Sequence, residues 1–103
     1  MIRNGRPYTN ENGCEDAGLI TDHPEEEQKI VMDWIRDNIR PRKTVLHGRT
    51  NYGMKHILER DTKIYLTNNE FKDAMMACGY EPVDPDMLNW IYCISAKSPA
   101  FKR

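Results

Sequence analysis

Six consecutive residues, Leu66-Thr67-Asn68-Asn69-Glu70-Phe71, constrain this chain more than any other stretch. Thr67 suits the N-cap of a helix, where its side-chain oxygen accepts from a first-turn amide. Glu70, three residues on, completes a capping box, and Leu66 with Phe71 forms a hydrophobic staple. Phe71, Ala74, Met75 and Cys78 then recur at the spacing of one helical face. Gly79 stops the helix, and Tyr80 follows where it can touch Met75. The pattern predicts a short helix over 68–78. Its opposite side, Asn68, Asn69, Lys72, Asp73 and Met76, is expected to face outward.

Two further helices and two strands follow from the same logic. Pro24 to Ile39 reads as a helix capped by Asp22 or His23, with Pro24 at its first position and Glu25, Glu26 and Glu27 at the positive end of its dipole. Ile30, Val31, Trp34, Ile35 and Ile39 form its apolar stripe, and Pro41 prevents continuation. Thr44-Val45-Leu46 has the composition of a short strand. A helix from Asn51 to about Arg60 carries Met54, Ile57 and Leu58. Asn89 to Ile94 alternates, with Trp90, Tyr92 and Ile94 on one face and Ile91 and Cys93 on the other. Turn residues between 80 and 90 predict a β-hairpin with the Glu81-Pro82-Val83 segment. Helix, strand, helix, helix, strand, strand is the order of a winged helix-turn-helix, a mainly α member of the α+β class. The expected organisation is a flexible acidic extension over 1–21, a winged-helix domain over 22–95 and a basic tail over 96–103. Trp34, Phe71, Tyr80, Trp90 and Tyr92 are read as core.

Charge is uneven along the chain although the net is only −1. Residues 1–33 hold three basic and eight acidic side chains. Residues 40–63 hold seven basic ones (Arg40, Arg42, Lys43, Arg49, Lys55, Arg60 and Lys63) against Glu59 and Asp61. Cys14, Cys78 and Cys93 form an odd set without a CxxC spacing, and Cys78 and Cys93 lie in apolar patterns, as expected for buried free thiols in a reducing cytoplasm. No apolar run approaches the length needed to cross a membrane, and no secretory leader pattern is present.

Catalytic signatures are weak. His23, His47 and His56 are scattered, with no carboxylate at a spacing that guarantees contact. Metal sites need more Cys or His at short spacing. Gly48 and Gly53 do not make a phosphate loop, and Asp84 and Asp86 sit among prolines as turn residues rather than in a calcium loop. No cofactor, metal or enzymatic activity is expected. The stronger candidate is a surface for double-stranded DNA. Asn68 and Asn69 suit bidentate pairing with adenine, and Lys72 reaches guanine or phosphate. Arg42, Lys43, Arg49, Asn51 and Lys55 lie before or within the preceding helix, where this fold crosses the phosphate backbone. Against it stand Glu70 and Asp73, which repel phosphate, and the acidic Asp84 and Asp86 of the expected wing. The rival is a protein-binding module that uses the same fold. DNA-binding winged helices often pair as homodimers, although no heptad or long apolar edge marks a dimer surface here.

Asn51-Tyr52-Gly53-Met54-Lys55-His56-Ile57-Leu58-Glu59, Tyr65 to Met75, Gly79 to Val83 and Asn89-Trp90 resemble small uncharacterised proteins of phages and integrative elements of Gram-positive bacteria. The resemblance spans Pro41–Arg103, about three-fifths of the chain, and implies no established activity or catalytic residue. The layout is also similar to the winged-helix tails of phage and viral primases, by element order alone. The DNA-binding reading is expected to serve regulation or replication of a mobile element, and the protein-binding rival inhibition of a host complex.

Overall fold

Three helices meet around Val31, Ile35, Met54, Leu58, Phe71 and Met75, all inaccessible to solvent in the computed structural model. Residues 1–11 and 14–102 are described, apart from the side chains of 9–11, 14 and 15. The class is α+β, with three helices and small antiparallel sheets. Helix α1 spans Glu25–Asn38, strand β5 Pro41–Leu46, helix α2 Asn51–Thr62, helix α3 Asn68–Ala77 and strand β6 Tyr92–Ile94. Four short strands precede them: β1 (Ile2–Arg3), β2 (Arg6–Pro7), β3 (Thr9–Glu11) and β4 (Cys14–Asp16).

The helix termini follow local chemistry closely. The α3 capping box is formed. Thr67 Oγ1 accepts from the Glu70 amide at 3.2 Å, and Glu70 Oε1 accepts from the Thr67 amide at 2.8 Å. Gly79 takes φ 91°, which lets the Tyr80 amide reach back to the Met75 carbonyl at 2.9 Å. At α2 the cap is Thr50, and the helix closes on Lys63 in a left-handed conformation, φ 65°. At α1 the N-cap is Pro24, not Asp22 or His23. Asp22 instead accepts from the Leu19 amide to close a 3-10 turn over Ile20–Asp22, and the His23 ring is engaged by carboxylates. Ile30 departs from the expected stripe and is 48% exposed.

The C-terminal sheet corrects the hairpin expectation. The alternation in the last strand holds, since Trp90, Tyr92 and Ile94 are buried while Ile91 and Cys93 are only partly so. Its partner is β5, paired antiparallel with Pro41 opposite Ile94 and Leu46 opposite Tyr92. The 81–83 segment contributes one ladder-like hydrogen bond, from the Val83 amide to the Ile91 carbonyl at 3.0 Å. Pro82 lacks an amide proton, which weakens any strand there. The Asn51 amide donates to the Trp90 carbonyl, and Asn51 Oδ1 accepts from the Trp90 amide. The entrance of α2 thus satisfies the backbone just ahead of β6.

Both chain ends pack on this frame. Asn4 and Gly5 take positive φ (54° and 76°), the conformation of a tight hairpin turn, and join β1 to β2. The β3–β4 pair places Glu11 opposite Cys14. Ile20 enters the main core at 4% exposure. At the other end, a 3-10 turn over Pro99–Phe101 buries Ala100, and Ser98 Oγ accepts from the Arg40 amide at 2.9 Å. The expected extension over 1–21 is therefore docked in its described parts, and residues 98–101 are packed rather than a loose tail.

Candidate nucleic-acid interface

Of the two helices expected to carry the interface, α3 does not present the surface assigned to it. Asn68, Asn69, Lys72 and Asp73 are all buried, with Asn69 and Lys72 at zero exposure. Each polar group is matched from outside the helix. Asn69 Nδ2 donates to the carbonyls of Pro7 (2.8 Å) and Gly18 (2.7 Å). Asp73 accepts two bonds from the Arg6 guanidinium, at 2.9 and 2.6 Å, and one from the Ile20 amide at 2.9 Å. That paired guanidinium geometry is strong and directional, and the bond to Asp73 raises the Arg6 pKa further. Lys72 Nζ donates to the Leu88 carbonyl at 2.7 Å and lies 4.7 Å from the centre of the Trp90 ring.

The acidic arm also caps α3. Asp16 accepts from the Asn69 amide at 3.0 Å and from Thr67 Oγ1 at 3.2 Å, placing a carboxylate at the positive end of the helix. His23 bridges Glu27 (2.8 Å) and Glu70 (3.0 Å). Partial burial pulls its pKa down, but the two carboxylates outweigh burial and the net shift is upward. Asn68, Asn69 and Lys72 are accordingly withdrawn as base-contacting residues. Asn69, with Asp73, seats the N-terminal arm, while Asn68 and Lys72 hold α3 to α2 and to the segment before β6.

Two residues expected at the phosphate backbone are also interior. Asn51 is fully buried and its side-chain amide is bonded to Asn68 Oδ1. Lys55 is 6% exposed, its ammonium held 5.3 Å from the Tyr52 ring centre and 4.9 Å from that of Tyr65. The other three, Arg42, Lys43 and Arg49, are exposed. They follow one another along β5 and the loop into α2. Arg42 curls onto the carbonyls of Thr44 (2.9 Å) and Val45 (2.7 Å), and Arg49 lies 4.5 Å above the Phe101 ring. Charges and a proline on this outer strand also discourage pairing with another chain.

An aromatic group on α2 escaped the sequence reading. Tyr52 and Tyr65 are 50% and 60% exposed, and His56 meets Tyr52 edge-on with ring centres 4.6 Å apart. The 52/56 spacing marks one helix face, but nothing in the spacing brings Tyr65 to Lys55.

A cavity of about 320 Å³ is lined by Pro41, Cys78, Gly79, Tyr80, Glu81 and Cys93. Burial raises the Cys78 pKa, and its Sγ faces the Met32 carbonyl at 3.8 Å rather than a base. Among the described residues no three His, Cys, Asp or Glu side chains group as metal ligands, and no helix is long and apolar enough to cross a membrane. Comparison with known proteins finds no matching family model, no matching curated protein and no matching solved structure.

Proposed function

We propose that this chain is a non-enzymatic nucleic-acid-binding module of winged-helix type that grips phosphates through β5 and the loop leading into α2, not through α3. One observation carries it. Arg42, Lys43 and Arg49 are exposed along one continuous stretch, and among the described residues none of them forms an ion pair with a carboxylate. Unpaired surface cations in series release counterions when they meet a phosphate chain, which drives sequence-independent binding. The pairing of β5, between α1 and α2, with the final strand supports a winged-helix layout. The resemblance of 41–103 to phage and integrative-element proteins supports a cytoplasmic role in regulating or replicating a mobile element.

Fluorescence anisotropy with random-sequence DNA, duplex and single-stranded, at rising salt tests the proposal. Affinity should fall steeply with salt, and Arg42→Ala with Lys43→Ala should lower both affinity and salt slope. Absence of binding to either form at tens of micromolar protein rejects it. A protein partner is supported by a separate observation. Val83, Met87 and Leu88, between α3 and β6, are 48%, 53% and 40% exposed. A contact built on those residues would weaken little with salt.

A further inference from the structure

We infer that the Tyr52–Lys55–Tyr65 cluster is a stacking site for the unpaired bases of a single-stranded nucleic acid, an inference that rests on the nucleic-acid function proposed above and specifies its substrate. The two tyrosines are large rings left 50% and 60% exposed on a protein that buries Trp34, Phe71, Trp90 and Tyr92. They are not loose. Lys55 lies near both rings, and His56 meets Tyr52 edge-on at an interplanar angle of 79°. A lysine at 6% exposure whose charge is directed at two aromatic rings fixes their positions before any ligand arrives. Bases stack on such rings whatever their sequence, because every base has a π face.

Charge favours the same occupant. Arg49 precedes the helix, and Arg60 and Lys63 lie exposed towards and at its end. Asp61, an acid on this segment, is already engaged with the Trp34 indole at 2.9 Å and with Arg60 at 3.6 Å. Aromatic platforms flanked by cations are how sequence-tolerant single-strand sites work. A duplex hides its base faces inside the stack, so it offers these tyrosines only sugar and phosphate. The helix expected to read a major groove is meanwhile covered at Asn69 and Asp73 by Arg6, Pro7, Gly18 and Ile20.

The protein should be titrated against a labelled mixed-sequence single strand, the same strand as duplex, and an abasic strand of equal length. The mixed strand should bind more tightly than the other two. Tyr52→Ala and Tyr65→Ala should each weaken it by roughly 5- to 100-fold, leave abasic binding unchanged, and be reversed by Phe at the same positions. Circular dichroism of each variant checks folding, and the comparison of base-bearing with abasic strands needs no variant. Equal binding of those two strands, or tighter binding of the duplex, overturns the stacking site while leaving charge-driven nucleic-acid binding in place. Failure of all three ligands to bind overturns both.

Discussion

The polar sides of α2 and α3 look alike in sequence, and both helices bury their Asn and Lys, yet α2 also keeps a side open to solvent. Each carries Asn, Lys and a helical spacing that leaves polar groups off the apolar stripe. On α3 those groups are buried because a neighbour supplies a partner for each, namely Arg6 and the Ile20 amide for Asp73, the Pro7 and Gly18 carbonyls for Asn69, and the Leu88 carbonyl for Lys72. On α2, Asn51 is buried against Asn68 and Lys55 against the Tyr52 and Tyr65 rings, while Tyr52 and His56 remain accessible. The difference shows that a polar helix face is a demand for hydrogen bonds, which water or another chain segment can meet. Burial is tolerated when the match is complete and is costly when a single member is lost.

The sharpest way to break this contrast is Asp73→Ala. It strips the acceptor from Arg6 and from the buried Ile20 amide, and should cost about 2–3 kcal/mol of unfolding free energy. Urea denaturation reads it directly. A midpoint equal to that of the parent protein would mean that the arm contributes nothing to the fold. Thr67→Ala should cost about 1 kcal/mol by removing the capping acceptor, and it also removes the donor to Asp16.

Protonation of His23 offers a subtler probe of the same contact. Its folded pKa is raised, so its stabilising contribution is complete below the unfolded value of about 6.5 and is lost as pH climbs through the folded value. The thermal midpoint should therefore drop as pH rises from about 6 past neutrality, with His23→Gln flattening that part of the profile. A slope that survives the substitution would assign the effect to another group. The smallest effect belongs to the β5 surface. Replacing Arg42 and Lys43 with alanine should change stability by no more than about 0.5 kcal/mol, because neither holds a buried partner. A loss several times larger by thermal melting would show that these side chains support the fold rather than await a ligand.

Much of the architecture was legible residue by residue. Thr67, Glu70 and Gly79 set the limits of α3 through bonds made within a few residues, and the alternation from Trp90 to Ile94 identified the buried face of β6. Asn4-Gly5 was an available hairpin signal, and the composition of residues 1–21 concealed it. Low apolar content suggested an arm that does not pack, whereas its described part is held by hydrogen bonds and by Ile20 alone among its larger aliphatics. The candidate site was legible only in part. Arg42, Lys43 and Arg49 lie exposed as expected, and Asn51, Lys55, Asn68, Asn69 and Lys72 do not.

By itself the sequence determined where helices begin and end, because caps, dipole charges and apolar periodicity act over four or five residues. Tertiary structure alone decided which polar faces stay wet, which strand pairs with β6, and that Tyr65 stands beside Lys55. Those outcomes depend on partners 10 to 67 residues away along the chain. No local preference encodes that separation, since matching a hydrogen-bond donor to an acceptor requires only that the fold bring them within about 3 Å.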